Sequence, residues 1–171
     1  MVTRRTFIIT GFAGSAALIV AYWMQGRLMP MSAHATHRQK ADAAAVLGAL
    51  VPAMLAGALP DDSQARHSAV DAALERVQQT IAGLPPASQH ELAQLFALLA
   101  FAPTRVAFAG LAKSWNEADA AEIDDVLRNW RQSSLDLKRS AYDALHQLVL
   151  GAWYAGAESW QRIGYPGPPQ P

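Results

Sequence analysis

The stretch AEIDDVLRNWRQSSLDLKRSAYDALHQLVLGAWY, residues 121–154, decides the fold. Ile123, Val126, Leu127 and Trp130 recur at steps of three and four, which places them on one face of a helix. Acids precede and open that face (Glu117, Asp119, Glu122) and Arg128 and Arg131 close it, the order that complements a helix dipole. The spacing predicts a helix over about 117–131, capped by Asn116. Ser133-Ser134-Leu135-Asp136 then offers a capping box for a further helix running to about Tyr154 through Tyr142, Leu145, Val149 and Trp153.

The same reading extends backwards. Val46, Leu47, Leu50, Val51, Met54 and Leu55 predict a helix over about 38–56, with Pro52 as a kink. Asp61-Asp62-Ser63 caps a second over about 64–82, with Val70, Ala73, Leu74, Val77 and Ile81 inward. Ser88-Gln89-His90-Glu91 has capping-box spacing for a third, carrying Leu92, Leu95, Phe96, Leu98 and Leu99. Pro103 suits the first turn of a short fourth helix over about 103–113. A short final turn covers about 157–162. The sequence is rich in Ala and Leu and has no clean alternation, so the fold class is all-α: a compact bundle of about six helices. Four prolines in the last six residues give residues 164–171 the character of an extended polyproline tail.

The N-terminal 35 residues differ. Arg4 and Arg5 precede Phe7 and Ile8, and no charge follows from Thr6 to Gly26. Arg27, Pro30 and the triplet Ala33-His34-Ala35 close the segment. A positive start, an apolar run and small residues at Ala33 and Ala35 make a signal peptide, and the adjacent arginines resemble a twin-arginine signal. The expected organisation is a leader over 1–35, a helical domain over 36–163 and the tail. The expected location is the periplasm. The alternative is an inner-membrane anchor, because the uncharged run of about 20 residues is long enough to span a bilayer.

Beyond residue 35 there are 11 bases against 14 acids, a formal charge of −3, which argues against nucleic acid as a partner. The chain has no cysteine, which excludes disulfides, thiolate metal sites and c-type haem attachment. His37, His67, His90 and His146 are scattered and form no metal-binding pair; axial haem ligation by His146 is the one such role left open. No nucleophile elbow, P-loop or dinucleotide fingerprint occurs, and Asp124-Asp125 point about 100° apart on a helix. No catalytic or metal-binding residue is therefore assigned.

Four segments carry a resemblance: LVPAMLAGALP (50–60), LFALLAFAPTRVAFAGLAKSW (95–115), LRNWRQSSLDLKRSAYDAL (127–145) and WYAGAESWQRIGYPGPP (153–169). Together they resemble the small subunits with twin-arginine leaders that accompany GMC-type flavin oxidoreductases, similar to gluconate 2-dehydrogenase subunit 3. The resemblance implies a non-catalytic accessory subunit. FAD would lie in the larger partner, a c-type cytochrome would often complete the complex, and the twin-arginine translocase would export the assembly. Contact residues expected from their size and chemistry are Arg105, Trp115, Trp130, Arg131, Trp160, Tyr165 and Pro166. The alternatives are a free-standing periplasmic binding protein for a small apolar ligand or haem, and a membrane-anchored structural module.

Overall fold

The computed structural model describes residues 33–156 together with 159, 160, 164 and 166, with the side chains of 33–36 left aside. Arg4, Arg5, Phe7 and Tyr165 lie outside the described residues, as does most of the tail. The chain divides into two units, residues 1–40 and 41–171. Of the first, only the opening turns of a helix from Ala33 are described; Ala33 and Ala35, the expected cleavage residues, fall within them.

The second unit is all-α. The described residues form six α-helical segments and one π-helical turn, with no strand among them. They are α1 (Ala33–Met54), α2 (Ser63–Gly83), α3 (Pro86–Ala100), α4 (Ala102–Thr104), the π-turn (Arg105–Ala109), α5 (Ala120–Arg131) and α6 (Asp136–Tyr154). Helices α2 and α5 both pack on α6.

The core follows the periodicity. In α1, Val46, Leu47, Leu50 and Val51 are sealed from solvent, as is Leu55 just beyond its end. Burying each such side chain contributes about 1.5–3 kcal/mol, which makes this half of α1 a main contributor to the core. Pro52 is accommodated inside the helix, which ends two residues later; Gly57, at φ 87°, turns the chain. Ala73 and Val77 come from α2, Phe96 and Leu99 from α3. All four residues expected on the inner face of α5 are buried, as are Leu145, Val149 and Trp153 of α6.

Several helix starts differ from expectation. The α2 cap is as expected, with Asp62 accepting from the Ala65 N–H at 2.8 Å. Helix α3 begins at Pro86, so the Ser88–Glu91 box does not form. A proline at the first helical position lacks only an N–H that would have gone unpaired. Gln89 instead reaches back to the carbonyls of Ala82 and Leu84, tying α3 to the end of α2. The helix expected at 103–113 is α4 and the π-turn, which Gly110 stops at φ 73°. Asn116 does not cap α5. Asp119 does, in a capping box with Glu122, and α5 starts at Ala120. At α6 the cap position is Leu135, without a side-chain cap bond; Ser133 accepts from the Leu135 N–H at 3.1 Å.

No single described helix is long and apolar enough to cross a membrane. Helices α3 and α4 with the π-turn pass that test only when taken together, and the chain bends by 82° between them.

Candidate functional site

The residues nominated from sequence fall into three groups. The first is internal. An α-helix leaves its last four carbonyls without intrahelical donors, and α3 ends where the chain turns sharply. The Ala97 carbonyl accepts from the Phe101 N–H at 3.1 Å. The Leu98 carbonyl accepts from the Thr104 hydroxyl. The Leu99 carbonyl accepts from the Trp115 indole N–H at 2.8 Å, and the Ala100 carbonyl from the Arg105 guanidinium at 3.2 Å. Three of the four are closed by side chains from beyond the end of the helix.

Arg105 does more. Its Nε and Nη2 also donate to the carbonyls of Leu111 and Ala112, each at 3.3 Å. The guanidinium is a fixed charge with five donors in a planar fork, and here it is 8% exposed. It therefore closes the loop after the π-turn onto the end of α3. Trp130 is fully buried, donates to the Phe108 carbonyl at 3.2 Å, and meets the Phe108 ring edge-on at 5.2 Å. On the outer side of this corner, Lys138 lies 5.7 Å from the Phe108 ring centroid. Arg105, Trp115 and Trp130 thus spend their polar groups inside the bundle, and burial takes most of their side-chain surface away from solvent.

The corner continues into an exposed polar chain. Ser114 donates from both its backbone N–H and its hydroxyl to Glu117. Those two bonds, led by the hydroxyl, hold the Glu117 carboxyl below its ordinary range, with the nearby charges of Arg105 and Lys113 acting the same way. Glu122 pairs with Lys113 at 3.0 Å while it accepts from the Asp119 N–H. That hydrogen bond and the Glu122 charge raise Lys113 above its ordinary value.

The second group is at the end of the chain. The Trp160 indole donates to the Tyr154 carbonyl at 2.7 Å, closing the end of α6. Ser159 is buried and donates to the Gly156 carbonyl at 2.7 Å. Gly156 has a packing role: the Arg76 guanidinium of α2 lies where a Cβ would sit, 2.5 Å from it. Pro166 is exposed.

The third group lines the surface. An open groove of about 810 Å³ runs between the end of α1 and the start of α5. About half of its lining is Gly or Ala, among them Ala49 and Ala53 from α1 and Ala121 from α5; Leu59 and Trp115 add larger apolar surface, and Arg66, Asn116 and Asp124 add polar surface. It meets a smaller cleft of about 250 Å³ at Ala53 and Asp124, which line both. The cleft collects Arg128 and Arg131 from α5 and Tyr142 and His146 from α6. The Tyr142 and His146 rings stack at 5.3 Å. Arg128 is held by Asp124 and Asp125, at 3.7 and 2.8 Å. Arg131 is exposed and, among the described residues, makes no ion pair, hydrogen bond or ring contact.

The groove was not legible in sequence because about half of its lining is alanine and glycine. These residues carry no chemical signature and fit helix packing equally well. Among the described residues no three His, Asp or Glu side chains converge as a metal-binding group. The fold and its surface define an all-α helical bundle with an open, small-residue groove that ends at a cationic and aromatic cleft. No protein family model, curated protein or solved structure matches the chain.

Proposed function

We propose that this chain is a non-catalytic accessory subunit that escorts an exported FAD-dependent GMC-type oxidoreductase, aiding its assembly and its passage through the twin-arginine translocase. The observation that carries the reading is the groove between α1 and α5. Its volume of about 810 Å³ is open to solvent and walled by side chains no larger than a methyl group over much of its length. Such walls let another backbone approach closely, the arrangement of helix-in-groove recognition. A contiguous apolar depression with a polar rim is also the ordinary mark of an interaction surface.

The sequence resemblance supplies the kind of partner. The flavin would reside in the larger subunit, with a c-type cytochrome as the expected electron acceptor, and no cofactor is assigned to this chain. The twin-arginine leader read from Arg4, Arg5 and Phe7 supplies the route, and the periplasm the destination.

The test is fractionation of cells carrying Arg4→Lys and Arg5→Lys together. The flavoprotein is expected to remain in the cytoplasm and to co-purify with this chain from wild-type cells. Normal export of the flavoprotein when this chain is deleted would refute the escort role.

A second reading has one observation behind it: the groove volume also lies in the range of small-molecule sites. A periplasmic carrier of a small apolar ligand would emerge loaded, which native mass spectrometry of the purified chain detects.

A further inference from the structure

The described cations of the second unit are nearly all committed. Arg66 donates to the Pro60 carbonyl, Arg105 to three carbonyls and Lys113 to Glu122. Arg128 is held by two aspartates, Lys138 lies against Phe108, and Arg139 pairs with Asp136. Arg76 also has a partner. Arg131 alone among these described cations has none. It sits in the cleft where the small-residue groove ends, with the Tyr142 and His146 side chains beside it. Neither of those makes a hydrogen bond among the described residues.

We infer that the groove and cleft together form one docking site for a segment of a partner polypeptide: apolar where it lies between α1 and α5, and bearing a carboxylate that Arg131 receives. The inference rests on the accessory-subunit reading and adds where the partner is held. Charge complementarity selects the occupant. Asp124 and Asp125 are both engaged by Arg128, so the Arg131 guanidinium keeps its full set of donors for an incoming acceptor. Planar, bidentate recognition of a carboxylate is what a guanidinium does best. The Tyr142 hydroxyl and a His146 ring nitrogen offer further donors to the same oxygens. The apolar part of the segment covers the alanine walls and excludes water from the ion pair, which strengthens it. A free carboxylate small molecule would use the cleft but leave the larger groove empty.

The experiment uses the full chain in cells that export it, with a small photo-crosslinking aliphatic diazirine residue in place of Ala53 at the meeting of groove and cleft. The same substitution at Gln78, exposed on α2 and outside both depressions, is the control. An adduct with a different polypeptide is expected at position 53 and not at position 78, mapped by mass spectrometry to an apolar segment that carries an acidic side chain or a C-terminus. Arg131→Gln in the same background should lower the adduct yield about tenfold, the loss expected for one charge-assisted contact. Arg131→Lys should restore part of it. Because Arg131 is exposed and unpaired, thermal unfolding should be unchanged in both variants. No adduct at position 53, an adduct with a second copy of this chain, or a yield indifferent to Arg131→Gln would each overturn the inference. If the flavoprotein co-purifies but never crosslinks at position 53, the docking site falls and the accessory reading stands. If position 53 captures some other polypeptide with Arg131 dependence, the docking site stands and the flavoprotein partner falls.

Discussion

Helices α5 and α6 and the corner from Leu98 to Ala118 are neighbours held together by different physics. The helix pair is built on apolar spacing: Ile123, Val126, Leu127 and Trp130 of α5 are buried, as are Leu145, Val149 and Trp153 of α6, and a capping box starts α5. The corner contains a three-residue helix, a π-turn and a loop. It is ordered by side chains that reach back to backbone carbonyls, from Thr104, Arg105, Trp115 and Trp130. Regular helices satisfy their own backbone, so side chains remain free to pack. An irregular corner must satisfy its carbonyls from elsewhere, and it recruits large polar-tipped residues to do so. Buried Arg and Trp at a corner are therefore poor indicators of a binding surface.

The contrast can be attacked by mutation. The largest effect is expected at Trp130, which serves both regions. Trp130→Ala should cost about 3–5 kcal/mol in denaturant unfolding, through the cavity it leaves. Trp130→Phe keeps most of the ring, and the orphaned Phe108 carbonyl should cost about 1–3 kcal/mol. Next comes Arg105→Met, which keeps an apolar stem but strips donors from three carbonyls. A loss of about 2–4 kcal/mol is expected. Native-state hydrogen exchange should show amides 98–118 opening while α5 and α6 stay protected. A neutral Arg105→Met would erase the distinction drawn between the two regions.

Smaller effects should separate the local devices. Gly110 ends the π-turn at φ 73°, so Gly110→Ala should cost about 1–2 kcal/mol from the left-handed backbone alone. On the other side, Asp119→Ala removes the α5 capping box and should cost about 1 kcal/mol. The smallest effect depends on pH. The Glu117 carboxyl is held below its ordinary value when folded, chiefly by the Ser114 hydroxyl. Its contribution is present above the ordinary carboxylate pKa and is lost as the pH falls through the lowered one. Ser114→Ala should therefore lower stability slightly at neutral pH, flatten the acid side of the profile, and leave the most acidic end unaffected. Lys113 has the opposite sense: raised by Glu122, its contribution is present below the ordinary lysine pKa and is lost as pH rises through the folded one. Lys113→Gln should flatten the alkaline side.

Legibility followed the same division. The inner faces of α1 and α5 were readable because a repeat of three and four apolar residues has one stable outcome, burial against other helices. The start of α2 was readable from Asp62 because a short side chain before an apolar stripe has a local geometric use. Ser88 and Asn116 looked like caps in the same way and are not. Pro86 opened α3 two residues sooner, and Asp119 with Glu122 offered a reciprocal pair that Asn116 lacked. The chemistry of Arg105, Trp115 and Trp130 suits interfaces and points to contact residues. Their partners are carbonyls 5 to 22 positions away, a relation no local pattern encodes. Arg131 carries the same chemistry and lies exposed in the lining of the cleft.

By itself the sequence determined that this protein is helical, which faces of its helices turn inward, and that it lacks the thiols on which several kinds of chemistry depend. Those properties follow from local spacing and composition, which are complete in one dimension. Tertiary structure alone decided that the aromatic and arginine residues of the corner close a helix end, that alanines of two distant helices wall a groove, and that the groove ends beside an uncommitted guanidinium. Each of these depends on which carbonyls lack donors and which surfaces fail to meet once the chain is folded.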